Sequence, residues 1–202
     1  MCRHGERAGC VVGEGDRAMQ QRQRESLRQQ LWQVASPSSE HRLYAILDAA
    51  RDPRIYQGLV DSGCAYHCLY RGDLADELRQ VAPYLVRLER QAAFTEWVLN
   101  LGWGDSWGIF VASPADMRDL RRHFRRFLMV YSEDGKPLYF RYYDPRVLRL
   151  YLPTSNAAEV LILFGPVARY YTEGEDGDTL IEFSQDAGQL RQRTLRLNDL
   201  AS

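Results

Sequence analysis

Lysine is almost missing from this sequence. Lys136 is the only lysine among 26 basic residues, and every other basic residue is arginine. The rigid guanidinium fork of arginine suits carboxylates, phosphates and aromatic rings, so the bias favours binding surfaces. A GC-rich genome gives the same bias without any functional cause, and both explanations stay open at this stage.

A strong charge of either sign is also missing, because 26 basic and 27 acidic residues leave a net charge of −1. The overall balance therefore gives no reason to expect a nucleic acid or an anionic membrane as partner. No apolar run approaches the roughly 18 residues of a membrane span, and residues 1–16 lack the apolar stretch of a secretion signal. We therefore expect a cytoplasmic protein.

The usual metal and redox motifs are missing too. The cysteines form no C-x2-C pair, and alternation over residues 64–68 places Cys64 and Cys68 on one face of a strand and His67 on the other. This spacing does not gather metal ligands, and in a reducing cytosol the thiols are expected to act as apolar filler. The four cysteines are Cys2, Cys10, Cys64 and Cys68. No metal site is expected.

Recognisable catalytic motifs are likewise missing. No nucleophile stands beside a base, no acid and base are paired, and the GEG of residues 13–15 is only a fragment of a phosphate-binding loop. His123, inside RRHFRR, has arginine neighbours that lower its pKa, and it is expected to lie on the surface of a cationic helix. These observations favour a protein that is not an enzyme and binds no cofactor.

Apolar residues are present in sufficient number for one globular domain, since 45% of the 202 residues are hydrophobic and 26% are charged. We divide the chain into a disordered leader over residues 1–18, an amphipathic helix with a linker over 19–40, an α/β domain over 41–184 and a tail over 185–202. Met19 is an alternative start to Met1. The polar tail is compatible with a loose helix or with disorder.

Strands and helices alternate through the predicted domain. In its first half, strands are predicted at 43–49, 65–70, 84–89 and 106–112. Helices are predicted at 53–60, at 74–85 with an interruption near Pro83, and at 92–101. In its second half, hairpins are predicted at 127–143 and 168–184, and short helices at 145–150 and 157–164. The pattern predicts an α/β (mixed α+β) fold in which helices flank a mixed sheet with antiparallel hairpins in the second half.

An arginine-rich helix is predicted to begin after residue 112. Ser113 is the expected N-cap, Pro114 the first helical residue, and Asp116 a carboxylate near the positive end of the helix. Four guanidinium groups occupy little more than one turn: Arg121, Arg122, Arg125 and Arg126. They either contact phosphates or form a solvated face supported by nearby carboxylates, and the absence of a further basic stripe favours the second interpretation.

The segment FRYYDPRVLR, residues 140–149, is predicted to lead from a strand into a helix. Alternation along the strand directs Phe140 and Tyr142 toward the core. The opposite face then carries Tyr139, Arg141 and Tyr143. An arginine between two tyrosines is typical of protein interfaces, so this face is a candidate binding surface.

Two features of the same segment have simpler structural explanations. Arg141 alternatively pairs inside the protein with a carboxylate such as Glu89. Asp144 before Pro145 is expected to be a helix N-cap, with Arg146 on the following turn.

Six segments, in their order along the chain, resemble a known family: LYAILDAARDP, CLYRGDLADELRQVAPYLVRLE, LGWGDSWGIFVAS, LRRHFRRFLMV, FRYYDPRVLRLYLP and FGPV. They are similar to the domain-of-unknown-function family numbered 4123, and the resemblance covers residues 42–168. Many members continue well beyond the FGPV motif with a second, variable lobe, whereas only a hairpin and a short tail follow it here.

This resemblance implies an adaptor, also called an effector chaperone, of bacterial type VI secretion. Such proteins bind a toxic effector in the cytoplasm and help to load it onto the spike-tip protein VgrG. The family has no established catalytic residues. Its motif positions correspond here to Trp103, Trp107, Arg122, His123, Arg126, Arg141, Tyr142, Tyr143, Asp144 and Arg146.

The residues and the resemblance together give a set of candidate site residues. Partner binding is expected at Arg121, Arg122, Arg125, Arg126, Tyr139, Arg141, Tyr143 and Arg146. A structural role is expected for Trp103, Trp107, His123, Tyr142, Asp144 and Pro145. The alternative function is a phosphate- or nucleotide-handling enzyme that uses the arginines of 121–126 with Arg141. A short family member that has lost a partner is a third hypothesis.

Overall fold

The computed structural model describes residues 14–35, 39–131 and 134–197, with side chains from residue 21 onward. The strands of these residues are β1 (Arg42–Asp48), β2 (Tyr66–Cys68), β3 (Pro83–Leu88), β4 (Gly108–Ser113), β5 (Met129–Tyr131), β6 (Pro137–Tyr139), β7 (Arg169–Glu173), β8 (Thr179–Asp186) and β9 (Gln189–Arg196). The helices are α1 (Glu14–Val34), α2 (Pro53–Asp61), α3 (Asp76–Arg79), α4 (Ala93–Leu101), α5 (Met117–Phe124), α6 (Pro145–Tyr151) and α7 (Ala157–Phe164). A 3₁₀ turn over Leu152–Thr154 follows α6.

Seven of these strands form one sheet in the order β2-β3-β1-β4-β7-β8-β9, and β5 pairs with β6 in a separate hairpin. The predicted α+β class is confirmed. The alternating pattern had predicted a mixed sheet, and this part of the prediction was wrong. Every strand pair of the described sheet is antiparallel. Strand β1 lies inside the sheet, where Ala45 pairs with Val86 on one side and with Phe110 on the other.

The sheet buries side chains on both of its faces. In β1, Leu43 and Leu47 belong to one hydrophobic cluster, whereas Tyr44 and Ile46 belong to the other, as the period of two residues requires. Helices α1, α2 and α4 pack on the first face through Leu27, Leu31, Ile55, Leu59 and Val98. Helices α5, α6 and α7 pack on the second face through Leu120, Phe124, Leu148 and Phe164.

The N-cap predicted at Ser113 was wrong, and aspartates cap both α2 and α5. Asp52 caps α2 by accepting a hydrogen bond from the Arg54 backbone nitrogen at 2.9 Å. Ser113 remains in β4 and donates its hydroxyl to the carbonyl of Pro166, so it does not cap a helix. Helix α5 begins only at Met117, and Asp116 is its cap.

The predictions for the chain ends were partly wrong. Helix α1 begins at Glu14, so residues 14–18 are helical rather than part of a disordered leader. Within the predicted tail, β9 pairs with β8 along its length, and Leu197 directly after it is buried. Residues 198–202 of the tail lie outside the described residues. Six of the eight residues of β9 are exposed, which explains its polar sequence. Residues 1–13, and 36–38 of the predicted linker, lie outside the described residues.

In the part of the chain that the structure describes, no helix combines the length and the apolar composition that a membrane crossing requires.

Candidate protein-interaction site

Arg141 does not lie between two exposed tyrosines, as the strand pattern had predicted. Strand β6 ends at Tyr139, and residues 140–143 leave it in a loop and turn, so the alternation of side chains stops there. Tyr139 is 72% exposed, but Tyr143 is only 3% exposed and packs in the core. The prediction of one outward face shared by these three side chains was wrong.

The partner of Arg141 is Asp48, at the end of β1, rather than Glu89. The Asp48 side chain is 2% exposed, whereas that of Arg141 is 44% exposed. The second carboxylate oxygen of Asp48 accepts a hydrogen bond from the Ala50 nitrogen at 3.2 Å. Since a buried carboxylate requires a counter-charge, Arg141 joins the turn after β6 to the end of β1.

The Asp144 corner follows directly after this turn. Asp144 accepts from the Arg146 backbone nitrogen at 3.0 Å, which confirms the predicted N-cap of α6. The Arg146 guanidinium forms two further bonds to the same carboxylate, of 2.9 and 2.6 Å. Burial opposes ionisation, yet these bonds hold the pKa of Asp144 below its ordinary value. Pro145 and Tyr142 beside it are buried.

His123 lies inside the protein, so the prediction of a surface histidine was wrong. It is 6% exposed, and its Nε2 lies 2.9 Å from the carbonyl oxygen of Leu163 at the end of α7. Burial lowers its pKa, and the charge of Arg126 adds a smaller decrease in the same direction. The signal that sequence reasoning missed is its spacing, three residues after Leu120 on the buried stripe of α5.

The two signature tryptophans lie near the sheet. Trp107 is 2% exposed, with its ring 4.9 Å from that of Trp97 and the Arg54 guanidinium 5.5 Å from its ring centre. Trp103 donates its indole nitrogen to the carbonyl of Gly177 at 2.7 Å. Both side chains therefore link loops to the packed core.

The arginines of the α5 region fall into two kinds. Arg121 and Arg125 are half-buried and donate to backbone carbonyls at the end of β2: Arg121 to Cys68 at 3.3 Å, and Arg125 to Leu69 at 2.9 Å and to Cys68 and Tyr70. Arg122 is exposed and pairs with Asp119 at 3.1 Å. Arg126 is exposed and lies beside the Phe127 ring. The four side chains therefore do not form one solvated face.

A groove with a volume of about 540 Å³ runs beside Arg125 and Arg126. The segment from residue 70 to α3 forms one wall, the β5–β6 hairpin forms the other, and the end of α5 lies between them. We call it the arginine groove, and it is lined by Tyr70, Arg71, Leu74, Leu78, Arg125, Arg126, Leu128, Met129, Tyr131 and Tyr139. It contains three of the predicted partner-binding residues, Arg125, Arg126 and Tyr139.

Every residue of strands β5 and β6 is exposed. A hairpin was predicted at 127–143, and Gly135 has a positive φ of 73°, which is typical of a tight hairpin turn. The apolar side chains of the hairpin are exposed on both faces: Met129, Tyr131 and Tyr139 toward the groove, and Val130 and Leu138 on the other side. Clustered exposed apolar side chains of this kind indicate a contact surface.

The arginines around the groove have no ion-pair partner in the part of the chain that the structure describes. Among the described residues, no carboxylate lies within ion-pair distance of Arg71, Arg121, Arg125 or Arg126. The nearby Asp73 and Asp76 pair with Arg79 instead, at 3.2 and 3.8 Å. Burial, together with the charges of Arg121 and Arg71, lowers the pKa of Arg125. The groove is therefore suited to an anionic group from outside.

Tyr70 connects the groove to the buried ion pair. Its ring centre lies 6.0 Å from that of Tyr139, and its pKa responds to burial and, less strongly, to Tyr143, Asp48 and Arg141. Burial raises the pKa of both Tyr70 and Tyr143. Tyr139 thus lies in the groove wall, whereas Tyr143 is buried in the core. Arg141 pairs with the buried Asp48 and does not line the groove.

Sequence reasoning missed three buried carboxylates: Glu182, which pairs with Arg169, and two others at strand ends. One is Asp48, and the other is Glu173, which is 4% exposed and accepts from the backbone nitrogens of Gly104 at 2.7 Å and Ser106 at 2.8 Å. Burial raises the pKa of Glu173 despite these bonds. No group of three or more potential metal ligands occurs among the residues that the structure describes.

Comparison with known proteins gives one finding. Neither a curated protein nor a solved structure matches the chain. The family model described as Domain of unknown function (DUF4123) matches residues 43–160, which is more than half of the sequence. The match begins in β1 and ends within α7, so it includes the arginine groove, the β5–β6 hairpin and the Asp48–Arg141 pair. The chain belongs to the DUF4123 family.

Proposed function

We propose that this protein is a non-enzymatic adaptor. It binds a toxic effector in the cytoplasm and helps to load it onto the VgrG spike tip of a bacterial type VI secretion system. The role is the one that the family resemblance implies, and the observation that carries it is the β5–β6 hairpin, which exposes five apolar side chains within the matched region.

The chemistry of this surface supports protein binding. Tyrosine, methionine and arginine are the residue types that protein interfaces favour, and all three line the arginine groove. Tyr131 is 73% exposed and Tyr139 is 72% exposed, so neither ring contributes much burial to the isolated fold. Burial of these rings against a partner contributes free energy that the isolated chain does not gain.

Co-purification tests the proposal. The tagged chain, expressed in its native strain, is expected to recover a VgrG protein or an effector encoded beside it. The variant Tyr131→Ser should recover less of the partner. A matched control, Leu150→Ser on α6, removes an apolar side chain that is 76% exposed outside the arginine groove and should leave recovery unchanged. Failure of the unaltered chain to recover either protein would contradict the proposal.

A phosphate- or nucleotide-handling enzyme is the second candidate, favoured by the arginines that lack a carboxylate partner. Its weakness is that Arg141 pairs with Asp48, while Arg121 and Arg125 already donate to carbonyls. Thermal-shift measurements with nucleotides and divalent metal ions discriminate the two candidates, because a ligand of the native state raises the melting temperature. The adaptor proposal expects no shift with any of them.

A further inference from the structure

We propose that the arginine groove binds an extended segment of a partner protein that carries both acidic and apolar side chains. This inference rests on the proposed function in one respect, namely that the ligand is a protein. It goes further because it assigns the surface and states the chemistry of the segment that this surface recognises.

The acidic character of the segment follows from positive charge that has no ion-pair partner among the described residues. Arg71 and Arg126 are exposed at the groove, and Arg125 is half-buried there. Arg125 donates from its Nε and one Nη to neutral carbonyls, and no carboxylate among the described residues compensates its charge. A carboxylate that enters the groove gains charge-assisted hydrogen bonds, and it relieves the repulsion among the arginines.

The apolar character follows from the rest of the lining. Leu74, Leu78, Leu128 and Met129 bring aliphatic surface to the same groove that the arginines border. Leu78 is 51% exposed and Met129 is 39% exposed, so a partner side chain can bury both. Removal of apolar surface from water stabilises a complex by about 25 cal/mol per Å² before the costs of association.

The extended form follows from the shape of the surface. A second cleft of about 250 Å³ shares Tyr70 and Leu74 with the groove and continues past Arg121 and Tyr84. Strands β5 and β6 pair only with each other among the described residues, so each has one edge without a neighbouring strand. An extended segment can follow the clefts and hydrogen-bond to such an edge.

A nucleic acid fits this groove less well. The tyrosines are able to stack on bases, and the arginines are able to bind phosphates. The aliphatic side chains of Leu74, Leu78 and Met129, however, provide no matching contact for a sugar-phosphate backbone. The net charge of −1 also gives no long-range attraction for a polyanion.

Selection from a random dodecapeptide display library on the full chain tests the inference. Selected peptides are expected to be enriched in Asp and Glu interspersed with apolar residues. By fluorescence anisotropy, Arg126→Glu should weaken their binding by about tenfold or more, since one close charge pair is worth at least about 1.4 kcal/mol. Arg118→Glu is the matched control: it makes the same charge change at an exposed position of α5 outside the groove, and binding should stay within about twofold.

Several outcomes overturn the inference: no enriched sequence, enrichment without acidic residues, or an equal loss with both variants. Binding of oligo(dT) in place of peptides assigns the groove to nucleic acid. If Arg126→Glu still recovers the effector and VgrG from the native strain, the groove inference fails while the adaptor function stands. If selected peptides bind as expected but the unaltered chain recovers neither protein, the adaptor function fails while the groove assignment stands.

Discussion

A buried carboxylate at the end of β1 determines what Arg141 does. Asp48 is 2% exposed and has Arg141 as its ionic partner in the described chain. Because Arg141 is itself 44% exposed, water reaches one partner of this ion pair. Arg141, which the sequence had placed on a binding face, therefore has a structural role: it compensates the buried charge of Asp48.

We expect Arg141→Ala to lower the free energy of unfolding by about 2 kcal/mol, because it leaves a buried carboxylate without its counter-charge. Urea denaturation followed by circular dichroism measures this value. The binding face predicted from the sequence implied instead that this substitution weakens partner binding more than it lowers stability.

A double-mutant cycle separates the ion pair from other effects of the substitution. In Asp48→Asn the buried charge is absent, so a further Arg141→Ala change should cost less than about 1 kcal/mol. Equal costs of Arg141→Ala in the two backgrounds would show that the charge of Asp48 does not need Arg141. A stable Arg141→Ala variant with lost partner recovery would restore the original interpretation.

At the scale of elements, α5 and α7 meet through His123 and Gly165. The His123 ring contacts the Leu163 carbonyl and lies against the rings of Phe124 and Phe127, at 5.1 and 4.9 Å. Gly165 follows α7 with a φ of 44°, and a Cβ at this position would lie 2.6 Å from the His123 ring. The FGPV motif thus supplies the only residue type that permits this contact.

Gly165→Ala is expected to destabilise the fold by about 2 to 4 kcal/mol. The positive φ is unfavourable for alanine, and the added methyl group would overpack against the buried His123 ring. Gly63→Ala is the control: its φ is 66°, but no heavy atom lies within 4 Å of the added Cβ. It should cost only about 1 kcal/mol. Thermal unfolding of the two variants measures the difference.

A third variant tests the steric contact itself. His123→Ala removes the ring, so Gly165→Ala should cost less in that background than in the unaltered chain. Equal costs of Gly63→Ala and Gly165→Ala would contradict the assigned contact.

At the scale of the whole molecule, segments outside the matched residues 43–160 complete the fold. Strands β7, β8 and β9 supply three of the seven strands of the main sheet. Leu27 and Leu31 of α1 share a hydrophobic cluster with Leu180 of β8 and Leu197 after β9. The family region is therefore one part of a folding unit that draws on both ends of the described chain.

Two buried groups give the whole fold opposing responses to acid. His123 has a lowered pKa, so its contribution to stability is present above its ordinary pKa of 6.5 and is lost as pH falls below that value. Glu173 has a raised pKa, so its contribution is present below its ordinary pKa of 4.5 and is lost as pH rises through the folded value.

We therefore expect two glutamine variants to change the pH dependence of the unfolding free energy in opposite directions between pH 7.5 and 4.5. His123→Gln should reduce the loss of stability on acidification. Glu173→Gln should enlarge it, because the gain from protonating Glu173 is removed. Urea denaturation at several pH values measures both slopes, and changes of the same sign in the two variants would contradict this assignment.

Local features were predicted from the sequence because neighbours along the chain determine them. The α7 range of 157–164, the Asp144 cap and the hairpin at Gly135 depend on residues within a few positions. The strand at β1 followed from its continuous apolar run, which is buried as expected. The motifs of the family also lie in contiguous segments, so the family assignment was available before the fold.

The tertiary structure alone decided the features that join distant segments. Asp48 and Arg141 are 93 residues apart, and His123 and Leu163 are 40 apart. Burial of Tyr143 depends on where the chain leaves β6, and the tail became β9 because β8 offered it an edge. The sequence by itself determined the family, the local elements and the arginine content of the surface. Folding determined which arginines pair with internal groups and which, among the described residues, have no carboxylate partner at the groove. The reason is that ion pairing depends on distance in space rather than on position along the chain.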